Sequence, residues 1–223
     1  DITSPEDVLE MDLDELNTKV GTSRACSMYE SAAYHCHEGE SRERELLRAD
    51  VLEAGNSLTE LNALLEVDQT DFEQSCLNLL ERVDQFQVEV VDDESGHTTD
   101  PEFYIRLEDE DGFYRESESE SPVRIGVECK TTADLDGEIR VDDAMSVVRK
   151  ANDADLQITI GNPAFRDDAE AAAKDNEVLL LPATAFATLI TKIRENDYDL
   201  ESIVDLLRNN GVLTRGEVQS ALD

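Results

Sequence analysis

Apolar and polar positions alternate along Val123-Arg124-Ile125-Gly126-Val127-Glu128-Cys129-Lys130, the pattern of a strand that buries one face. Ile125, Val127 and Cys129 fall on the apolar side, and Arg124, Gly126, Glu128 and Lys130 on the other. Phe86 to Val91 alternates in the same way, and two more strands are predicted over Phe103 to Leu107 and Leu156 to Gly161. Val178-Leu179-Leu180-Leu181 is a continuous apolar run, as a buried, mostly parallel strand requires. Helical patterns separate these strands. Thr70-Asp71-Phe72-Glu73 has the form of a capping box opening a helix from Phe72 to Val83. Further helices are predicted over Asp142 to Ala151, Asp167 to Asp175 and Ala183 to Arg194. Asp199 caps one that stops at Asn210-Gly211, and Thr214-x-x-Glu217 opens a last one. Strands interleaved with helices predict an α/β chain built on a central mixed sheet.

The first third of the chain is helical by pattern. Ser4-Pro5-Glu6-Asp7 starts a helix that runs toward Val20-Gly21, and a second is predicted from Thr22 to Cys36. Leu47, Val51, Ala54, Leu58, Leu61 and Leu65 recur at four and three residues, interrupted at Gly55-Asn56. That seam fits a helix packed on the core or one offered to a partner. The predicted division is a helical N-terminal region over 1–66, a core over 67–190, and C-terminal helices over 191–223.

Composition changes the picture. With 54 acidic against 19 basic residues the net charge is −35; there are five lysines and no Trp. An acidic, lysine-poor chain with good apolar periodicity resembles the proteins of salt-accumulating halophiles more than a disordered acidic tail. In molar salt the Debye length is roughly 3 Å, so self-repulsion is screened there and acts at low salt. The charge argues against nucleic-acid binding, which wants a basic surface, unless a local basic or metal-loaded site survives inside it. No run of eighteen apolar residues exists and the N-terminus lacks the basic and apolar regions of a secretion signal, so a cytoplasmic location is expected. The absence of an initiator Met suggests part of a longer protein. Cys26, Cys36, Cys76 and Cys129 have no Cys-x-x-Cys spacing and read as free thiols; Cys26, His35, Cys36 and His37 lack the second ligand pair of a zinc site.

Chemistry concentrates on Glu128 and Lys130, two residues apart on one strand face, with Asp100 entering the preceding strand in Thr99-Asp100-Pro101-Glu102. Alone, Glu-x-Lys is a cross-face ion pair. In the order helix, strand with Asp, hairpin, strand with Glu-Cys-Lys, helix, strand, the chain resembles the PD-(D/E)XK nuclease superfamily, and so a restriction-endonuclease-like core. From about Thr70 onward it resembles the cleavage domains of type IIS restriction endonucleases of the FokI kind, through Asn162-Pro163-Ala164-Phe165 and Gly211-Val212-Leu213-Thr214-Arg215-Gly216-Glu217-Val218. That family places Pro before the Asp; here Thr99 precedes Asp100 and Pro101 follows it.

The resemblance implies a Mg²⁺-dependent DNA endonuclease, with Mn²⁺ as a substitute. Asp100 and Glu128 would hold the metal together with the backbone carbonyl of Cys129, and Glu102 is the fallback acid. Lys130 would position or help deprotonate the attacking water and balance charge. Glu73 is either an accessory acid or only the third residue of a capping box. His97 stands in the loop before Asp100 and is either near the site or a surface residue. Arg140, Arg149, Lys150, Arg166 and Lys174 are candidate phosphate contacts. One active site per core implies a homodimer or a dimerising partner for a double-strand cut. The competing reading is an inactive nuclease fold serving as an interaction module.

Overall fold

A computed structural model describes residues 2–54, 61, 64, 69–91, 102–116, 121–132, 138–196 and 198–222. Ser4 and Asp7 close a capping box on α1 (Pro5–Glu10). The single helix expected up to Val20 is two, because the Asp12 carboxylate accepts from the amides of Asp14 and Glu15 and so caps a new helix, α2 (Leu13–Val20). α3 (Thr22–Cys36) and α4 (Gly39–Ala54) follow. These helices share a core of their own made by Val8, Leu16, Ala25, Tyr29, Ala32 and Ala49. Of the predicted heptad-like seam, Leu47 and Leu61 are buried against the main core, whereas Leu58 and Leu65 lie outside the described residues.

Among the described residues seven strands form one mixed sheet: β1 (Phe86–Val90), β2 (Phe103–Asp109), β3 (Gly112–Phe113), β4 (Ile125–Thr131), β5 (Leu156–Asn162), β6 (Val178–Pro182) and β7 (Gly211–Val212). Their order is β1-β2-β4-β5-β6-β7, with β3 folded back on β2 alone. β1, β2 and β4 pair antiparallel, while β4 to β7 run parallel. β7 lies where a helix stop was expected; Gly211, at φ +88°, makes the turn that lets two further residues join the sheet edge.

The alternation in β4 sorts its side chains as the sequence requires. Ile125, Val127 and Cys129 enter the larger core beneath α5 (Gln69–Leu80) and α9 (Ala183–Glu195), among Phe72, Leu79, Phe186 and Ile190. Each such fully buried large side chain contributes about 1.5–3 kcal/mol. On the opposite face lie α6 (Val141–Ala144), α7 (Ser146–Lys150) and α8 (Asp167–Asp175), with Val147, Ala151, Phe165 and Ala173 as their apolar contacts. The helix expected over Asp142 to Ala151 is broken at Met145, where the Ser146 hydroxyl turns back to the Asp143 carbonyl at 2.8 Å.

α7 lies directly on β4. A Cβ at Gly126 would stand 2.2 Å from the Ala151 Cβ, so only glycine admits the helix at this depth. The chain closes with α10 (Leu200–Leu207), capped by Asp199, and α11 (Arg215–Ala221), capped by the Thr214 and Glu217 box. Buried Arg215 on α11 reaches Asp50 on α4 at 2.5 Å and Glu30 on α3 at 2.5 Å, tying the N-terminal helices to the C-terminal ones.

Candidate active site

β4 delivers Glu128 and Lys130 to the same side of the sheet, as a period of two demands. Extending the β2–β4 register one residue beyond the Phe103 and Val127 pair sets Glu102 opposite Glu128. The three side chains converge. Lys130 Nζ lies 2.8 Å from Glu128 Oε2, 3.1 Å from Glu102 Oε1 and 3.0 Å from the Cys129 carbonyl oxygen. The other Glu102 oxygen accepts from the Cys129 amide. Glu128 is wholly buried.

A second lysine reaches Glu128 from the helix side. Lys150 Nζ donates to Oε2 at 3.0 Å and stands 2.9 Å from Oε1, an ion contact without hydrogen-bond alignment. Ser146 Oγ is 3.3 Å from Oε2. Two carboxylates and two ammonium groups thus interlock at the mouth of β4.

Electrostatics at this cluster are strongly perturbed. Burial pushes the Glu102 carboxyl up, Lys130 resists, and Glu128 and Glu73 reinforce the rise, to about 8. Burial opposes the Lys130 charge, but the Glu102 and Glu128 carboxylates outweigh it and hold the ammonium well above its ordinary range. Lys130 is therefore a charged donor at neutral pH. The Cys129 thiol, on the core side, is raised by burial and then by neighbouring Cys76.

Gln69 was not singled out by sequence, because it precedes the predicted capping box. α5 in fact begins at Gln69, so Thr70 lies inside the helix and the Thr70-x-x-Glu73 box does not form its start. The Gln69 amide instead reads the edge of β4 like a short strand: it donates to the Cys129 carbonyl at 2.7 Å and accepts from the Thr131 amide at 3.0 Å. It also donates to Glu73, which brings that acid to the rim of the cluster.

Of the remaining candidates, Asp100 and His97 lie outside the described residues. Lys150, a candidate phosphate contact by sequence, is turned into the sheet toward Glu128. Arg140, Arg149, Arg166 and Lys174 are exposed and are not brought to the cluster; Arg166 pairs with Asp168 at 3.2 Å and Lys174 with Glu170 at 2.6 Å.

The donor set suits a hard divalent cation. Glu102 Oε1, Glu128 Oε2 and the Cys129 carbonyl already surround one positive head group, and Glu128 Oε1 is buried with no hydrogen bond. Mg²⁺ takes oxygen ligands and is commonly held by one or two carboxylates while keeping several waters. Among the described residues, no three His, Cys, Asp or Glu side chains gather at metal-holding distance. Nor, among them, is any helix long and apolar enough to cross a membrane.

A family model described as a restriction endonuclease, Mrr_cat, matches residues 64–190. The structure is similar to that of the restriction endonuclease FokI, with a TM-score of 0.49 and 11% identity over 85% of this chain and 34% of that one. The chain thus spans about a third of FokI's length. No curated protein matches it.

Proposed function

Because the chain belongs to the restriction endonuclease family whose model spans residues 64–190, we propose that it is a divalent-metal-dependent endonuclease domain that hydrolyses DNA phosphodiesters. The observation that carries this reading is the convergence of Glu102, Glu128 and the Cys129 carbonyl on one cationic position, held by Lys130.

Glu102, Glu128 and the Cys129 carbonyl would hold Mg²⁺ or Mn²⁺, with Asp100, two residues upstream of Glu102, as a further acid. The bound ion supplies Lewis-acid polarisation of the phosphate and a lowered pKa for a water beside it. Lys130, charged at neutral pH, orients that water through its N–H groups and offsets the negative charge that builds on the phosphate. Gln69 fixes the direction of the Cys129 carbonyl, and Glu73 is an accessory acid at the rim. Arg140, Arg149, Arg166 and Lys174 are the exposed cations available to DNA phosphates. A double-strand cut would need two copies of this site, hence a homodimer or a dimerising partner.

One observation favours a second reading. Glu102 and Glu128 are already paired with Lys130 and Lys150 without any metal, as they would be in an inactive nuclease fold retained as an interaction module. Nicking of supercoiled plasmid in molar KCl, with and without Mg²⁺, separates the two. The endonuclease reading predicts Mg²⁺-dependent nicking that Glu102→Gln and Glu128→Gln each remove, with Asp100→Ala showing whether the upstream acid shares the work. An absence of nicking by the parent at every Mg²⁺ and Mn²⁺ concentration leaves only the module.

A further inference from the structure

The endonuclease reading assigns Lys130 to the water and the phosphate, and that raises a difficulty for Glu128. This carboxylate is fully enclosed, and a buried carboxylate that loses its only partner is strongly destabilised. Lys130 Nζ, with three N–H donors, already lies within 3.1 Å of Glu102, Glu128 and the Cys129 carbonyl, so a donor turned to the reacting phosphate is taken from one of them. A second cation is already in place. Lys150 Nζ contacts both Glu128 oxygens, at 2.9 and 3.0 Å, from a helix seated on β4. The seat is built for closeness: Ala151, the next residue, packs where Gly126 has no side chain.

We propose that Lys150 is a positioning residue for the reaction: it is the fixed counter-charge of Glu128, which leaves Lys130 free to exchange its place among the oxygens for the divalent cation. The inference rests on the endonuclease reading above. Lys130 sits at the centre of the oxygen set, bonded to Glu102, Glu128 and the Cys129 carbonyl at once, so an entering cation displaces it. Lys150 touches only Glu128 among those groups and holds that carboxylate's orientation through the exchange. Partners of this kind, one step removed from a metal ligand, typically govern metal affinity or activity by 10- to 100-fold.

The two lysines should therefore act with opposite sign on cation binding, which plain electrostatics does not predict. If each were only a nearby positive charge, removing either would tighten the binding of a divalent cation. Mn²⁺ binding to the full chain in molar KCl, read from the electron paramagnetic resonance of the free ion, tests this. Lys130→Met should bind Mn²⁺ more tightly than the parent. Lys150→Met should bind it about 10-fold or more weakly, with most of the affinity returned in Lys150→Arg. Lys150→Gln, which keeps a donor without the charge, is the second variant should the methionine fail to fold, and it too should weaken binding. Either neutral variant, folded and binding Mn²⁺ as well as the parent or better, overturns the inference and leaves the endonuclease reading standing. A parent that neither binds Mn²⁺ nor nicks plasmid overturns both.

Discussion

Glu102 is enclosed beside Lys130, whose ammonium is shared among three oxygens. With its carboxyl raised from 4.5 to about 8, chiefly by burial, the folded protein holds a proton there that the unfolded chain has released. Between those limits stability falls as pH rises, because the unfolded state binds fewer protons. Relative to Glu102→Gln, the parent should lose on the order of a few kcal/mol from pH 4.5 to pH 8, in chemical denaturation without divalent cation in molar KCl. Parallel curves for the two proteins would refute the assignment. Glu128 and Lys130 were legible in the sequence because a strand's period of two places them together. The choice between Asp100 and Glu102 was not, since it depends on cross-strand register, and the structure supplies that register only from Glu102 onward. Lys150 was legible as a cation but not as a partner of Glu128, because contact between a helix and the strand beneath it leaves no local periodic signal.

At the scale of elements, the site depends on how closely α7 lies on β4. Gly126→Ala places a methyl group 2.2 Å from the Ala151 Cβ, so the helix must lift and carry Lys150 with it. That overpacking should cost about 1–3 kcal/mol in denaturant unfolding. An unchanged midpoint would show that the helix gives way freely. Arg215 makes a second junction, between α11 and the N-terminal helices. Arg215→Met removes the buried cation that joins Asp50 to Glu30 and should cost about 3–5 kcal/mol by the same measurement. Most strands and helices followed from periodicity, including β6 as an unbroken apolar run and α8 over Asp167–Asp175. The departures have local causes that periodicity cannot weigh: a carboxylate at Asp12 that caps a new helix, a Ser146 hydroxyl that breaks another, and a two-residue strand after Gly211 too short to show a period.

The whole molecule carries a net charge of −35, and its salt response follows from that. Raising KCl from 0.1 M to 2 M shortens the Debye length from about 10 Å to about 3 Å or less, so repulsion among exposed carboxylates should fade and the thermal midpoint rise. A midpoint that falls across this range would contradict the halophile-like reading of the composition. Against that charge, two of the chain's five lysines meet at Glu128. Whether that meeting performs phosphodiester hydrolysis is tested most directly by the initial rate of plasmid nicking in molar KCl with Mg²⁺, comparing the parent with Lys130→Ala at equal folded fraction. The predicted result is Mg²⁺-dependent nicking by the parent and a loss of at least about 100-fold in the variant; equal rates, or none from either protein, would contradict it.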